Sequence, residues 1–242
     1  FENHTATFML LGGHCSRNCT FCAVTHGAME PQDPEEPKRV AEAVSRLDLK
    51  YVVLTSVTRD DLADGGASHY AATINTIRSV GSDILVEVLV PDFQDSAQSL
   101  ATVLSAQPAV LNHNLETVPR LYPAVRPQAD YQRSLRLLEE VKRLHPDATT
   151  KSGFMVGLGE RQEEVSSLLR DLRKTNCDLV TIGQYLRPSQ HHHSVVDYIH
   201  PEFFKAYQQE AEELGFSGVA SGPYVRSSYQ AEKLYRRARG MN

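Results

Sequence analysis

The chain of 242 residues carries 25 Lys and Arg against 30 Asp and Glu, a formal net charge of −5, with 41% hydrophobic and 23% charged residues. That length supports one large domain with a sizeable core, and the acidic balance excludes a protein that meets nucleic acid or an anionic membrane through a global basic field. No apolar run approaches the roughly 18 residues of a membrane span, and the first residues lack the basic flank of a signal peptide.

Strand and helix patterns then take turns. Short runs rich in Val, Ile and Leu predict strands at 7–11, 51–56, 84–90, 109–112, 152–157 and 179–184. Helical periodicity predicts helices at 37–47, 70–80, 97–105, 131–144, 163–174 and 201–214, with Pro37 and Pro201 in first-turn positions. Six βα units without a break in composition make one α/β domain with a parallel sheet. Each predicted strand runs at once into a polar or glycine-rich loop: "GGHCSRNCTFC", "SVTRDDLADGG", "PDF", "NHNLE", "GLGE" and "QYLRPSQHHH". In a parallel barrel all such loops share one face, where sites are built. An open doubly wound sheet gathers its ligand at a single switch point, so six polar loops favour the barrel. It is expected over residues 5–214 of a single 1–242 domain, with 215–242 as a C-terminal extension whose basic tail, "KLYRRARGMN", reads as a solvent-facing helix end.

Residues 15–22, "CSRNCTFC", hold three of the four cysteines. A disulfide there leaves an odd thiol in a cramped loop, and clustered cysteines suit a reducing, cytoplasmic setting (mitochondrial or plastid matrix in a eukaryote). Cys15, Cys19 and Cys22 with His14 or His26 match a Cys3His zinc site, although zinc ligands usually come as two separated pairs. An iron–sulfur cluster normally takes four cysteines. Three in a Cys-x3-Cys-x2-Cys loop hold three irons of a cubane and leave the fourth open, which is how a metal site keeps room for a substrate. Spacing and context favour the open cluster; the alternative is a zinc-stabilised barrel acting as a binding module without redox chemistry.

With Phe21 just before the third cysteine, Cys15, Cys19 and Cys22 resemble the signature of radical S-adenosylmethionine (radical SAM) enzymes. The resemblance implies a [4Fe–4S] cluster whose open iron is chelated by S-adenosylmethionine, cleavage of that cofactor to a 5′-deoxyadenosyl radical, and a partial (βα)6 TIM-like barrel. The segments "TATFMLLGGHCSRNCTFC", "TSVTRDDLADGGA", "LNHNLETV", "YPAVRPQADYQRSL", "TKSGFMVGLGE", "TIGQYLRPSQHH" and "SGPYVRSSY", in that order, are together similar to the lipoyl synthase family. The likeness implies insertion of two sulfur atoms, at C6 and C8, into an octanoyl chain carried on a lysine. The carriers would be 2-oxoacid dehydrogenase E2 subunits or the glycine cleavage H protein, and the electron donor ferredoxin or flavodoxin. A radical enzyme with another substrate is a further alternative.

An unactivated C–H bond offers a general base no acidic proton, so the hard chemistry must belong to a cofactor that the protein positions. Asn114 and Glu116 suit the hydroxyls of a ribose, Ser56 and Thr58 the methionine part, and Gly157 and Gly159 would let backbone approach the adenosine. Plainer readings stand beside these: a helix cap for Asn114, a first-turn acid for Glu116, an ordinary turn at Gly157.

The lipoyl synthase resemblance also implies a second cysteine set, Cys-x4-Cys-x5-Cys, whose last member would immediately precede Phe1. Within "RSSY" it makes Ser228, ahead of Ser227, the fourth ligand of an auxiliary [4Fe–4S] cluster that donates the sulfur; otherwise both are loop hydroxyls. The 1–242 chain alone is expected to cleave the cofactor without inserting sulfur. Three neighbouring histidines, His191 to His193, cannot easily ligate one metal, and the family pattern is departed from at His193 and Ser194. Cys177 reads as a buried, inert thiol, and Asp60 and Asp61 as a capped turn or a salt link with Arg59. Lys151 and Arg126 either face the site or form structural ion pairs. Arg236, Arg237 and Arg239 are candidates for steering an acidic carrier domain.

Overall fold

In the computed structural model, which describes residues 5–241, β1 (Thr5–Leu10) leads through two minimal strands, β2 (His14–Cys15) and β3 (Thr25–His26), to α1 (Glu36–Arg46). The chain then alternates through β4 (Tyr51–Ser56), α2 (Ala67–Val80), β5 (Leu85–Leu89), α3 (Ala97–Ser105) and β6 (Val110–Asn112). A single turn, α4 (Tyr122–Val125), precedes α5 (Tyr131–Leu144), β7 (Thr149–Val156), α6 (Gln162–Lys174) and β8 (Leu179–Gln184). Last come α7 (Pro201–Glu213), β9 (Gly218–Gly222) and α8 (Ala231–Ala238). The main sheet has the order β1-β4-β5-β6-β7-β8-β9 with every neighbouring pair parallel. No pairing joins β9 back to β1 among the described residues, so the barrel is open on that side.

All six predicted βα units are present. Their helices bury stripes at helical spacing, such as Pro37, Val40, Ala41 and Val44 on α1 and Val165, Leu168, Leu169 and Leu172 on α6. Those stripes meet one face of the sheet, where Val52 and Leu54 of β4 join the main core. The alternate residues turn inward. Inside the barrel Lys151 Nζ lies 2.8 Å from Glu87 Oε1 with both side chains fully buried, and Tyr51 Oη donates to Glu87 Oε2 at 2.7 Å. The pair closes the question of Lys151 in favour of a structural ion pair.

The seventh strand, β9, escaped the sequence reading. Its "GVASG" is poor in β-formers, yet a Cβ on Gly218 would lie 2.8 Å from Leu179 and 3.0 Å from Leu234. A small residue is required there because α8 closes the N-terminal end of the barrel. Ala231 packs with Tyr51 and Val53, and Leu234 with Val110 and Leu179. Tyr51, Val110 and Leu179 each begin a strand. The expected solvent-facing tail is therefore corrected: one face of α8 is a plug, and only the other is exposed. Arg236 and Arg237, in its last turn, and Arg239 just after it sit at the end of the barrel opposite the polar loops; Arg236 pairs with Glu232 at 2.8 Å. Among the described residues, no helix is long and apolar enough to cross a membrane.

Candidate active site

The thiol loop leaves β1 through Leu11 (φ +67°) and Gly12 (φ +88°), and its residues are then fastened one by one to neighbouring loops. The Ser16 amide donates to the Thr58 carbonyl at 2.9 Å, and the Thr20 amide to the Val125 carbonyl at 3.0 Å. The Asn18 amide donates to Gln128 Oε1 at 2.5 Å. From the far side, the His193 amide donates to the Thr20 carbonyl at 2.8 Å, and His192 Nε2 lies 3.1 Å from the Cys22 carbonyl oxygen. The histidine run therefore holds the loop's backbone, a role its composition did not disclose.

Cys15, Cys19 and Cys22 are half-buried free thiols around one cavity of about 240 Å³, with Phe21 in its wall. Cys15 Sγ accepts the Thr58 amide at 3.3 Å and the Arg17 amide at 3.5 Å. Burial pushes the Cys19 and Cys22 thiols up, so both keep their protons at neutral pH until a metal displaces them.

Ser56, Thr58, Asn114 and Glu116 line the same cavity. Asn114 caps no helix: its Nδ2 donates to Glu116 Oε1 at 3.0 Å, and its buried Oδ1 has no partner. Nor is Glu116 a first-turn helix acid. At φ +64° it adds a rung to the β6–β7 ladder, its amide donating to the Gly153 carbonyl at 3.0 Å and its carbonyl accepting the Met155 amide at 2.9 Å. Burial pushes its carboxyl up, against the opposing pull of Arg126. Arg126 faces the cavity too, stacked 5.3 Å over the Tyr122 ring, with Nη1 donating to the Asn114 carbonyl at 3.0 Å and its buried Nε unpartnered. His113 completes this wall. Its Nδ1 lies 2.8 Å from the Val90 carbonyl oxygen and its Nε2 2.9 Å from Ser134 Oγ, and burial pushes its pKa down to about 4.

Gly157 (φ +96°) and Gly159 (φ +107°) do not line this cavity. A Cβ on Gly157 would come within 2.5 Å of the Asp197 carbonyl oxygen, so the turn and its packing already account for glycine there. Behind Asn114 and Glu116 lies a second cavity of about 190 Å³, reaching Gly153, Thr181 and Ser227. Ser227 Oγ accepts from Asn112 Nδ2 at 2.7 Å. The half-buried Ser228 hydroxyl makes no hydrogen bond among the described residues. A larger groove of about 740 Å³ runs outside the barrel along α3 and α5 and holds none of the thiols.

Arg59 pairs with Asp61 at 2.8 Å as expected, but Asp60 turns away to Arg17 at 2.7 Å. Cys177 is fully buried, its thiol pushed up to about 12 by burial first and the Asp178 charge second. The donor set suits a polynuclear group better than a single ion. His14, one candidate fourth ligand of a Cys3His zinc site, has its Nδ1 engaged by Glu30 Oε1 at 3.0 Å. Three thiols around an open cavity leave room for a ligand at a fourth corner.

Residues 9–172 match the model of the radical SAM superfamily. The lipoyl synthase of Caldanaerobacter subterraneus subsp. tengcongensis is 58% identical over 240 residues, covering 99% of this chain and 84% of that protein. The lipoyl synthase of Alkaliphilus metalliredigens is 55% identical over 231 residues, covering 96% and 80%. Among solved structures, methylornithine synthase superposes with a TM-score of 0.68 at 14% identity, over 98% of this chain and 69% of that one. SuiB of Streptococcus suis, bound to S-adenosylmethionine, gives 0.68 at 9% identity over 87% and 47%. These structural likenesses speak to the fold.

Proposed function

The chain belongs to the lipoyl synthase family of the radical SAM superfamily, and on that premise we propose that its three-thiol cavity holds a [4Fe–4S] cluster with S-adenosylmethionine and serves the insertion of sulfur at C6 and C8 of a protein-bound octanoyl-lysine. The observation that carries this reading is the convergence of Cys15, Cys19 and Cys22 on one cavity with Asn114, Glu116 and Arg126. When bound, cluster and cofactor supply a 5′-deoxyadenosyl radical, able to take hydrogen from an unactivated C–H bond.

The remaining work falls to the chain's own residues. Asn114 Oδ1 and the Glu116 carboxyl accept hydrogen bonds from ribose hydroxyls, and the unpartnered Arg126 Nε offers a charge-assisted donor to the cofactor's carboxylate. Ser56 and Thr58 border the methionine part, and Phe21 covers the cluster's flank. Ser228 is the fourth ligand of an auxiliary [4Fe–4S] cluster that supplies sulfur, a reading supported by the engagement of the Ser227 hydroxyl with Asn112. The substrates are octanoylated carriers, E2 subunits or the glycine cleavage H protein, and ferredoxin or flavodoxin supplies electrons. Docking belongs at the loop end of the barrel, so Arg236, Arg237 and Arg239 are not assigned to it.

Anaerobic reconstitution is expected to give brown protein with iron and acid-labile sulfide that forms 5′-deoxyadenosine when reduced. Alanine at Cys15, Cys19 or Cys22 removes the iron and sulfide of this one cluster and abolishes nucleoside formation. Ser228→Ala in the intact enzyme keeps nucleoside formation but lowers thiolation of an octanoylated carrier peptide, read by mass spectrometry. A colourless zinc protein, or full iron in all three cysteine variants, overturns the assignment.

A further inference from the structure

Of the residues in the thiol loop, Arg17 is the one that is buried, 5% exposed between two carboxylates. Its Nε and Nη2 donate to Asp60 Oδ2 at 2.7 Å and Oδ1 at 2.9 Å. Its Nη1 and Nη2 donate to Asp92 Oδ2 at 2.9 Å and Oδ1 at 2.6 Å. Two bidentate forks on one guanidinium use four of its five N–H donors. The three groups come from three loops that border the thiol cavity: Arg17 follows β1, Asp60 follows β4, and Asp92 follows β5. Arg17 and Asp92 both line that cavity.

A second observation stands on the Asp92 side. Phe93, Gln94 and Asp95 hold φ of +47°, +50° and +66°, three successive non-glycine residues in the left-handed region. Each such residue costs on the order of 1 kcal/mol and persists where the surroundings over-determine it. Here they do. Asp92 Oδ1 accepts the Gln94 amide at 3.1 Å, Asp92 lies 3.4 Å from Arg133, and Asp95 pairs with Arg136 at 2.6 Å. The strained turn is thus braced from α5 while it presents Asp92 to Arg17. Buried ion pairs contribute little net stability, and in some proteins they are retained because they specify geometry.

We propose that Arg17 is a positioning residue of the metal site: clamped by Asp60 and Asp92, its side chain holds the loop of residues 15–22 in the cluster-binding shape before iron arrives and limits the loop's opening afterwards. The proposal rests on the reading that Cys15, Cys19 and Cys22 ligate the cluster. Lysine keeps the charge but cannot form two forks, so Arg17→Lys tests the geometry rather than the charge.

The test uses the reconstituted protein and two readouts other than turnover: the rate of iron release to a chelator, and the electron paramagnetic resonance spectrum of the reduced cluster. Loss of a residue that orients metal ligands lowers metal retention by about 10–100-fold. Arg17→Lys is expected to release iron at least about tenfold faster and to broaden the spectrum. Asp60→Asn and Asp92→Asn, each sparing one fork, should fall between Arg17→Lys and the parent. Arg143→Lys is the control, since Arg143 is forked to Glu140 on α5 and does not line the thiol cavity; it should behave as the parent. Should Arg17→Lys fail to fold, the two Asn variants carry the test. Parent-like release and spectra in the Arg17 variant, or in both Asn variants, overturn the clamp. If Cys15→Ala loses no iron relative to the parent and still forms 5′-deoxyadenosine, it is the ligand reading that fails instead.

Discussion

The two ends of the barrel both bury charge and both pack closely, but they leave different things over. At the N-terminal end α8 seals the strands with Ala231, Leu234 and Tyr235, the Tyr51 and Tyr235 rings standing 6.3 Å apart. Above this plug the Glu87 carboxylate takes both Lys151 and Tyr51, so the charges answer one another. At the C-terminal end charges also pair, in the Arg17 clamp and between Arg59 and Asp61, yet Asn114 Oδ1 and Arg126 Nε stay buried without protein partners beside three thiols. Orphaned buried polar atoms are costly and rare in native proteins. Beside the Glu87 network the buried atom left over, Asn112 Oδ1, is a neutral acceptor, whereas the upper end leaves a charged donor, an acceptor and three thiols facing one cavity, as a site shaped around a ligand does.

The sharpest break of that comparison is at the inner ion pair. Lys151→Met leaves the Glu87 carboxylate buried and uncompensated, which is expected to cost about 3–5 kcal/mol in urea unfolding of the apoprotein. The pair Lys151→Met with Glu87→Gln should recover most of it. A single-variant loss under about 1 kcal/mol would mean that the pair is not the strut it resembles.

The next effect belongs to the upper end and to acid. The His113 pKa is pushed down to about 4, by burial first and the Arg126 charge second. Its neutral form is the folded form, so its contribution is complete above the ordinary value near 6.5 and is lost as pH falls through about 4. The size is roughly 3 kcal/mol over that window. His113→Gln should flatten the stability profile between those values, and an unchanged acid limb would rule His113 out as its source.

The mildest change is in the plug. Leu234→Ala removes a buried side chain from the contact with Val110 and Leu179 and is expected to cost about 2–3 kcal/mol. Iron content per folded molecule should not change. Loss of iron at a temperature where the variant is fully folded would show that the two ends are coupled.

The same contrast governs what could be read in advance. Strands β4 and β8 and helices α3 and α5 were legible to the residue, because a hydrophobic period reports a buried face wherever that face is presented to a core. The start of α2 was missed by three residues: Asp64 takes the Gly66 and Ser68 amides and draws the helix back to Ala67. β9 was missed because Gly218 answers to Leu179 and Leu234, which no local pattern contains. At the site, three closely spaced thiols and "NHNLE" announced themselves. The glycines of "GLGE" did so equally loudly, yet Gly157 sits against the Asp197 carbonyl and Gly159 against Val196, outside the thiol cavity.

From its sequence alone this protein had its alternation of strands and helices, the placing of polar loops on one face and the crowding of three thiols, since each is a matter of spacing within a few turns of chain. Tertiary structure decided which charge meets which. Arg17 reaches partners 43 and 75 residues away, Asn112 takes Ser227 across 115 residues, and α8 folds back under strands that begin the barrel. An arginine, a serine or an amphipathic tail is chemically able to pair with many groups. The choice is made by which loops the parallel sheet brings side by side, and that information lies in the packing of the whole chain rather than in any stretch of it.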